Sequence, residues 1–152
     1  MGFPKLLYST LLLTLLLLPG CVDDQLSIVM AAVAGTPYTP GETVDIQITF
    51  NYVGPDTILA IEVVQSLPDG WTFEEYPPQI LTNMLPPLME EVGNTLSFGY
   101  IANPPLPATF VYRVNVPENA SGTQEFQGYT RFYFENGVTL SPVTTVTVQQ
   151  VN

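Results

Sequence analysis

The chain has 152 residues, with 14 acidic side chains against three basic ones, no histidine and a single cysteine. A net charge of −11 excludes nucleic-acid binding, which needs a basic footprint, and argues equally against electrostatic adhesion to anionic lipid. Without histidine, Ser-His-Asp and Cys-His catalytic sets and the His-containing zinc sites are out.

The first cation, Lys5, is followed by an apolar run from Leu6 to Leu18, 13 residues long. As a helix that run reaches only ~20 Å, against a hydrocarbon core about 30 Å thick. A short basic end, a core of this length and a small residue at the break describe a secretory signal over residues 1–20. Pro19 and Gly20 break any helix there and leave the cut site extended. The residues Leu18-Pro19-Gly20-Cys21 resemble the lipobox of bacterial lipoproteins, with Pro19 where that family usually carries Ala or Ser. The resemblance covers the first 21 residues. It implies lipidation of Cys21 on sulfur and cleavage just before it, leaving a membrane-anchored envelope protein, outer membrane or cell surface. An ordinary signal peptide and an uncleaved signal anchor are the alternatives. A lone exported thiol has no partner within the chain, and acylation removes that problem.

Removal of residues 1–20 leaves 132, the size of one domain, with Arg113 and Arg131 as its only cations. Residues 21–25 form a short tether. Residues 26–152 read as strands and turns. Leu26–Val33 is a first strand, and Gly35–Gly41 a loop set by two prolines and two glycines. Val44, Ile46, Ile48, Phe50 and Tyr52 then alternate with polar residues, giving one buried and one wet face. After a turn at Gly54-Pro55-Asp56, Ile58–Val64 is continuously apolar, as a central strand would be. Leu67–Trp71 is a turn leading Trp71 and Phe73 into a short strand. Residues 76–94 are irregular, with Pro87–Val92 a possible single helical turn ending at Gly93. Alternation resumes at Leu96, Phe98 and Tyr100, and again at Phe110, Tyr112, Val114 and Val116. Glu125–Phe134 is a long aromatic strand turned by Asn136-Gly137, and Val138–Leu140 and Val143–Val151 close the chain. Seven to nine strands without a helical period predict an all-β fold, a β-sandwich with Greek-key connections.

Three segments carry a second resemblance: Tyr38–Val44 (Tyr-Thr-Pro-Gly-Glu-Thr-Val), Leu67–Phe73 (Leu-Pro-Asp-Gly-Trp-Thr-Phe) and Phe110–Pro117 with Ser121-Gly122. They are similar to the Ig-like and cohesin-like modules of bacterial cell-surface and extracellular proteins, over about residues 36–148. That resemblance implies a spacer, adhesive or docking unit. Such modules commonly repeat in long chains, whereas these 132 residues hold no internal repeat.

The search for chemistry returns little. Glu74/Glu75 and Glu90/Glu91 are the available acid pairs, but neighbours in an extended chain point to opposite faces, so no catalytic residue is assigned. Asp23, Asp24, Asp56 and Asp69 fall in turns without a spaced calcium loop, and no metal site is assigned. Trp71 is expected in the core; as a surface ring it would instead suit a sugar platform. The apolar side chains of the 76–92 loop, Ile80, Leu81, Met84, Leu85, Leu88 and Met89, either cap the sandwich or lie exposed as a binding site. The expectation is a non-catalytic, monomeric structural or protein-interaction module. It meets the membrane through lipid on Cys21 and an envelope protein through the loop, with no cofactor beyond that lipid. The alternative is a glycan- or small-ligand-binding envelope protein using surface aromatics.

Overall fold

The computed structural model describes residues 25–33, 35, 37–77, 86–101 and 104–151. The signal segment, Cys21, Asp23 and Asp24 lie outside the described residues. Eleven strands are present: β1 (Gln25–Ala32), β2 (Pro37–Tyr38), β3 (Thr43–Val53), β4 (Ala60–Ser66), β5 (Thr72–Glu75), β6 (Leu88–Val92), β7 (Thr95–Tyr100), β8 (Ala108–Asn115), β9 (Thr123–Phe134), β10 (Gly137–Leu140) and β11 (Thr144–Gln150). No helix occurs among the described residues.

Two sheets face one another. The smaller runs β1-β3-β8-β5, and the larger β2-β11-β9-β4-β7-β6, with β10 also paired to β9. The chain passes between the sheets at most connections, so strands distant in sequence become neighbours, the crossing arrangement expected of a Greek-key sandwich. All pairs are antiparallel except β2 with β11, where Gln149 and Gln150 lie beside Pro37 and Tyr38. Strands β10 and β11 line the same side of the long β9, one after the other. Ser141 links them: its N–H donates to the Thr130 carbonyl at 2.9 Å, and its hydroxyl accepts from the Thr130 N–H at 2.9 Å.

The alternating residues of β3, β7 and β8 point inward as their period requires. Ile46, Ile48, Phe50, Leu96, Phe98, Phe110 and Tyr112 are all buried, and Phe126 and Phe132 join them from β9. Phe98 sits at the centre of an aromatic stack, its ring centroid 5.0 Å from both Phe110 and Tyr112. Trp71 is buried as expected.

Four local expectations are corrected. The Gly35–Gly41 loop contains β2. The Pro87–Val92 segment is strand β6 rather than a helical turn, and Gly93 (φ 60°) with Asn94 turns it into β7. The central strand begins at Ala60, not Ile58, and pairs with both β7 and β9. The last hairpin turns at Glu135-Asn136, so Gly137 (φ 147°) already pairs with Phe134. Only glycine adopts that backbone at no steric penalty.

Candidate functional site

Of the six loop residues expected to bind, Ile80, Leu81, Met84 and Leu85 lie outside the described residues. The structure separates the other two. Met89 is partly buried, packing against the core while also lining a groove beside Gly99, whereas Leu88 is 65% exposed. Strand alternation puts Leu88, next to the core-packed Met89, on the outer face of the larger sheet, whose edge strand is β6.

The strand registers order that face into rows. Leu88 pairs with Gly99, Gly99 with Glu62, Glu62 with Arg131, and Arg131 with Leu140. On one side the parallel row runs Ala60, Tyr133, Val138, with Ile101 continuing β7 beside Ala60. On the other it runs Glu90, Ser97, Val64, Tyr129. Gly99 and Ala60 supply almost no side chain in the middle, so the face sinks there into a groove of about 340 Å³. Leu88 and Ile101 form one wall, Tyr133 and Glu62 the other, and Glu90 and Ser97 close one end. The exposed aliphatics Val138 and Leu140 extend the surface beyond β9.

A polar network stands at the centre. Arg131 Nη1 donates to Glu62 Oε2 at 3.0 Å, and the Tyr133 hydroxyl donates to the same oxygen at 2.8 Å. Arg131 Nη2 donates to the Tyr129 hydroxyl at 2.7 Å, and its guanidinium lies 5.4 Å from that ring's centroid. Partial burial pushes the Glu62 carboxyl up, but hydrogen bonds from Tyr133, Arg131 and Ser97 outweigh it and hold the group below its ordinary value of 4.5. The Glu62 hydrogen bond, then burial, raises the Tyr133 hydroxyl. A carboxylate with a depressed folded value stabilises the native state above 4.5, and that contribution is lost as pH falls through the folded value. Glu62→Gln should therefore flatten the acid limb of a melting-temperature profile below about pH 5, and cost about 1 kcal/mol at pH 7. An acid limb identical to wild type would refute the pairing.

The opposite outer face carries the other arginine. Arg113 on β8 donates from Nε and Nη2 to both oxygens of Asp45 at 2.7 and 3.0 Å, and from Nη1 to Glu75 at 2.8 Å. Glu75 is thus half of an ion pair, not of an acid–base pair. Asp69 accepts from Asn94 Nδ2 at 2.6 Å across two turns, a turn-former's contact. Among the described residues no group of three potential ligands converges on a metal position.

Trp71, buried between Tyr38 and Phe126, offers no platform to a sugar. Glu62, Gly99, Tyr129, Arg131 and Tyr133 were not singled out as site residues by the sequence reading. Gly99 carried a usable signal, being a glycine at an outward position of an otherwise regular alternation, where a trough or a close approach is expected.

No family profile matches the chain, and no curated protein is similar to it in sequence. Solved structures do share its fold. A cohesin module from a Clostridium perfringens family 33 glycoside hydrolase aligns with TM-score 0.63 at 10% identity, covering 84% of this chain and 96% of that one. The sixth cohesin of Acetivibrio cellulolyticus scaffoldin B, solved with a Cel5 dockerin, gives 0.56 at 13% identity, over 83% and 99%. The collagen-binding subdomain of the Enterococcus faecalis surface protein ACE gives 0.52 at 11% identity, over 80% and 95%. The fold is that of the cohesin and Ig-like β-sandwich modules of bacterial surface proteins.

Proposed function

We propose that this chain is a lipid-anchored envelope protein whose sandwich is a non-catalytic interaction module, docking a protein partner on the outer face of the larger sheet. The groove beside Gly99 carries the proposal. Its aliphatic walls flank a satisfied Glu62–Arg131–Tyr133–Tyr129 network, which combines apolar anchors with a preorganised polar centre, as a protein interface does. Both tyrosine hydroxyls are engaged within that network, which favours a protein surface over the glycan alternative. The fold supports the same reading, since neighbours of this architecture are named for a bound dockerin and for collagen binding. Anchoring rests on the lipobox at Leu18–Cys21, and the acid excess argues for a partner that is itself not acidic.

Two measurements test this reading. Mass spectrometry of the purified N-terminus should find lipid on Cys21 and no residues 1–20, and Cys21→Ser should release the protein from the membrane fraction. Leu88→Ser should weaken capture of an envelope partner by about 30-fold, as loss of an interface anchor does. It should change stability by less than about 0.5 kcal/mol. Val29→Ser, on the opposite sheet, serves as the control for partner capture. Equal binding by both variants would remove the groove from the interface.

A further inference from the structure

We infer that the sandwich stands on the bilayer on one particular end, where Val53, Leu59, Ile101 and Val138 meet a neutral lipid surface. The inference rests on the proposed lipidation of Cys21. Residue 25 is the first of β1, so four residue steps separate Cys21 from Gln25, and the connection spans at most about 14 Å. Gln25 pairs with Val53, the last residue of β3. Every element at that end follows from the registers. They are the loop from Val53 to Ala60, the start of β8 beside Phe50, the end of β7 beside Ile61, the start of β6 beside Gly99, and the Glu135-Asn136 turn. A lipidated Cys21 therefore holds this end, and no other, close to the headgroups.

The side chains presented there suit the position. Ile101 is 79% exposed, and Val53, Leu59 and Val138 are each at least half exposed. Among the described residues two exposed carboxylates, Asp56 and Glu135, share that end, and the sequence places Asp23 and Asp24 in the connection to Cys21. At the other end lie Glu42, Asp69, Glu91, Glu118 and Glu125, all exposed. Among the described residues the exposed acids are thus more numerous at the far end, and the carboxylates near the anchor suit a neutral rather than an anionic lipid surface. Exposed aliphatics beside a lipid anchor add apolar burial to the membrane contact. In this stance the strands run roughly along the membrane normal. The groove beside Gly99 then opens sideways, accessible to a partner in the same envelope layer.

Cys21 is the only cysteine, and lipid on its sulfur would leave an introduced thiol as the single site for labelling. Full-length Ile101→Cys, Leu59→Cys and Val92→Cys variants, labelled with an environment-sensitive fluorophore, are incorporated into phosphatidylcholine vesicles carrying a headgroup-level spin-labelled quencher. Mass spectrometry first establishes whether Cys21 is lipidated. The expected result is at least threefold stronger quenching at residues 59 and 101 than at residue 92. Equal quenching on a lipidated protein overturns the stance and leaves anchoring intact. A free thiol at Cys21, visible as a second label, overturns the anchoring and this inference together.

Discussion

Trp71→Ala is expected to cost about 3–5 kcal/mol, the range for truncating a fully buried aromatic, and to loosen one end of the sandwich specifically. The indole is 2% exposed and is packed edge-to-face against Tyr38 and Phe126, each with its centroid 5.3 Å away. Tyr38 is half of β2, a two-residue strand held by parallel pairing to β11. It is also held by the bond from its hydroxyl to the Gly122 carbonyl at 3.0 Å. So short a strand cannot keep its place without the ring packed against it. Hydrogen exchange in the variant should therefore lose protection first at Val151, whose N–H donates to the Tyr38 carbonyl, while the β4–β7 pairing persists. The wild-type protein's single-tryptophan emission should be that of a buried indole and should not move on titration with oligosaccharides. A loss below about 1 kcal/mol, or quenching by sugar, would place the ring at the surface.

The strands legible in the sequence are those whose state is decided locally. In β3 and β7 one face is buried and the other wetter, and β8 departs from this only at the buried Val111, so the period-two pattern of Val44–Tyr52, Leu96–Tyr100 and Phe110–Val114 reports the structure directly. Strand β2 is different. Pro37-Tyr38 sits among prolines and glycines, and it becomes a strand only because residues 149–150, more than a hundred positions on, run beside it. Strand β6 fails for another reason. At the sheet edge Leu88 and Val92 point outward while Met89 packs inward, so apolar residues occupy both faces and no binary pattern survives. Gly93 misleads as well, because a glycine at positive φ ends a helix or turns a hairpin equally well.

The candidate site was less legible than the fold because it is made of rows, not segments. Leu88, Gly99, Glu62, Arg131 and Leu140 come from five strands, and only the sheet order places them side by side. Leu88 is legible by its apolar character within an irregular loop, but nothing local to it shows that a glycine and a carboxylate stand next to it. The two arginines carry a further local signal. Each lies at an outward position of a strand in an acid-rich chain, so cross-strand pairing with a carboxylate was the expected outcome. Both find it, Arg113 with Asp45 and Glu75, Arg131 with Glu62.

Gly128→Ala should be among the most damaging single-methyl additions in the chain, costing about 2–6 kcal/mol as overpacking combined with a disrupted buried polar group. Gly128 pairs with Gln65 across β9 and β4, and both residues are buried. The Gln65 side chain folds directly over the glycine. Its Nε2 donates to the Val64 carbonyl at 3.2 Å, and its Oε1 accepts from the Tyr112 hydroxyl at 3.4 Å. A Cβ on residue 128 would overlap Gln65 Nε2, and would lie 2.6 Å from Cδ and 2.9 Å from the Val64 carbonyl oxygen. The amide has no solvent to retreat into, since Gln65 is fully buried. Moving it strands both its own polar atoms and the hydroxyl of Tyr112, whose ionisation burial already pushes well above the ordinary range. Removing the obstructing side chain should relieve part of the clash. The double variant Gln65→Ala/Gly128→Ala is therefore expected to be more stable than the sum of the single changes predicts, by at least about 1 kcal/mol. Chemical denaturation of the four proteins in that cycle decides the matter. If Gly128→Ala costs less than about 1 kcal/mol and the two changes simply add, Gln65 does not lie over Gly128. The buried Gln65–Tyr112 contact would then not be what requires a glycine in the middle of β9.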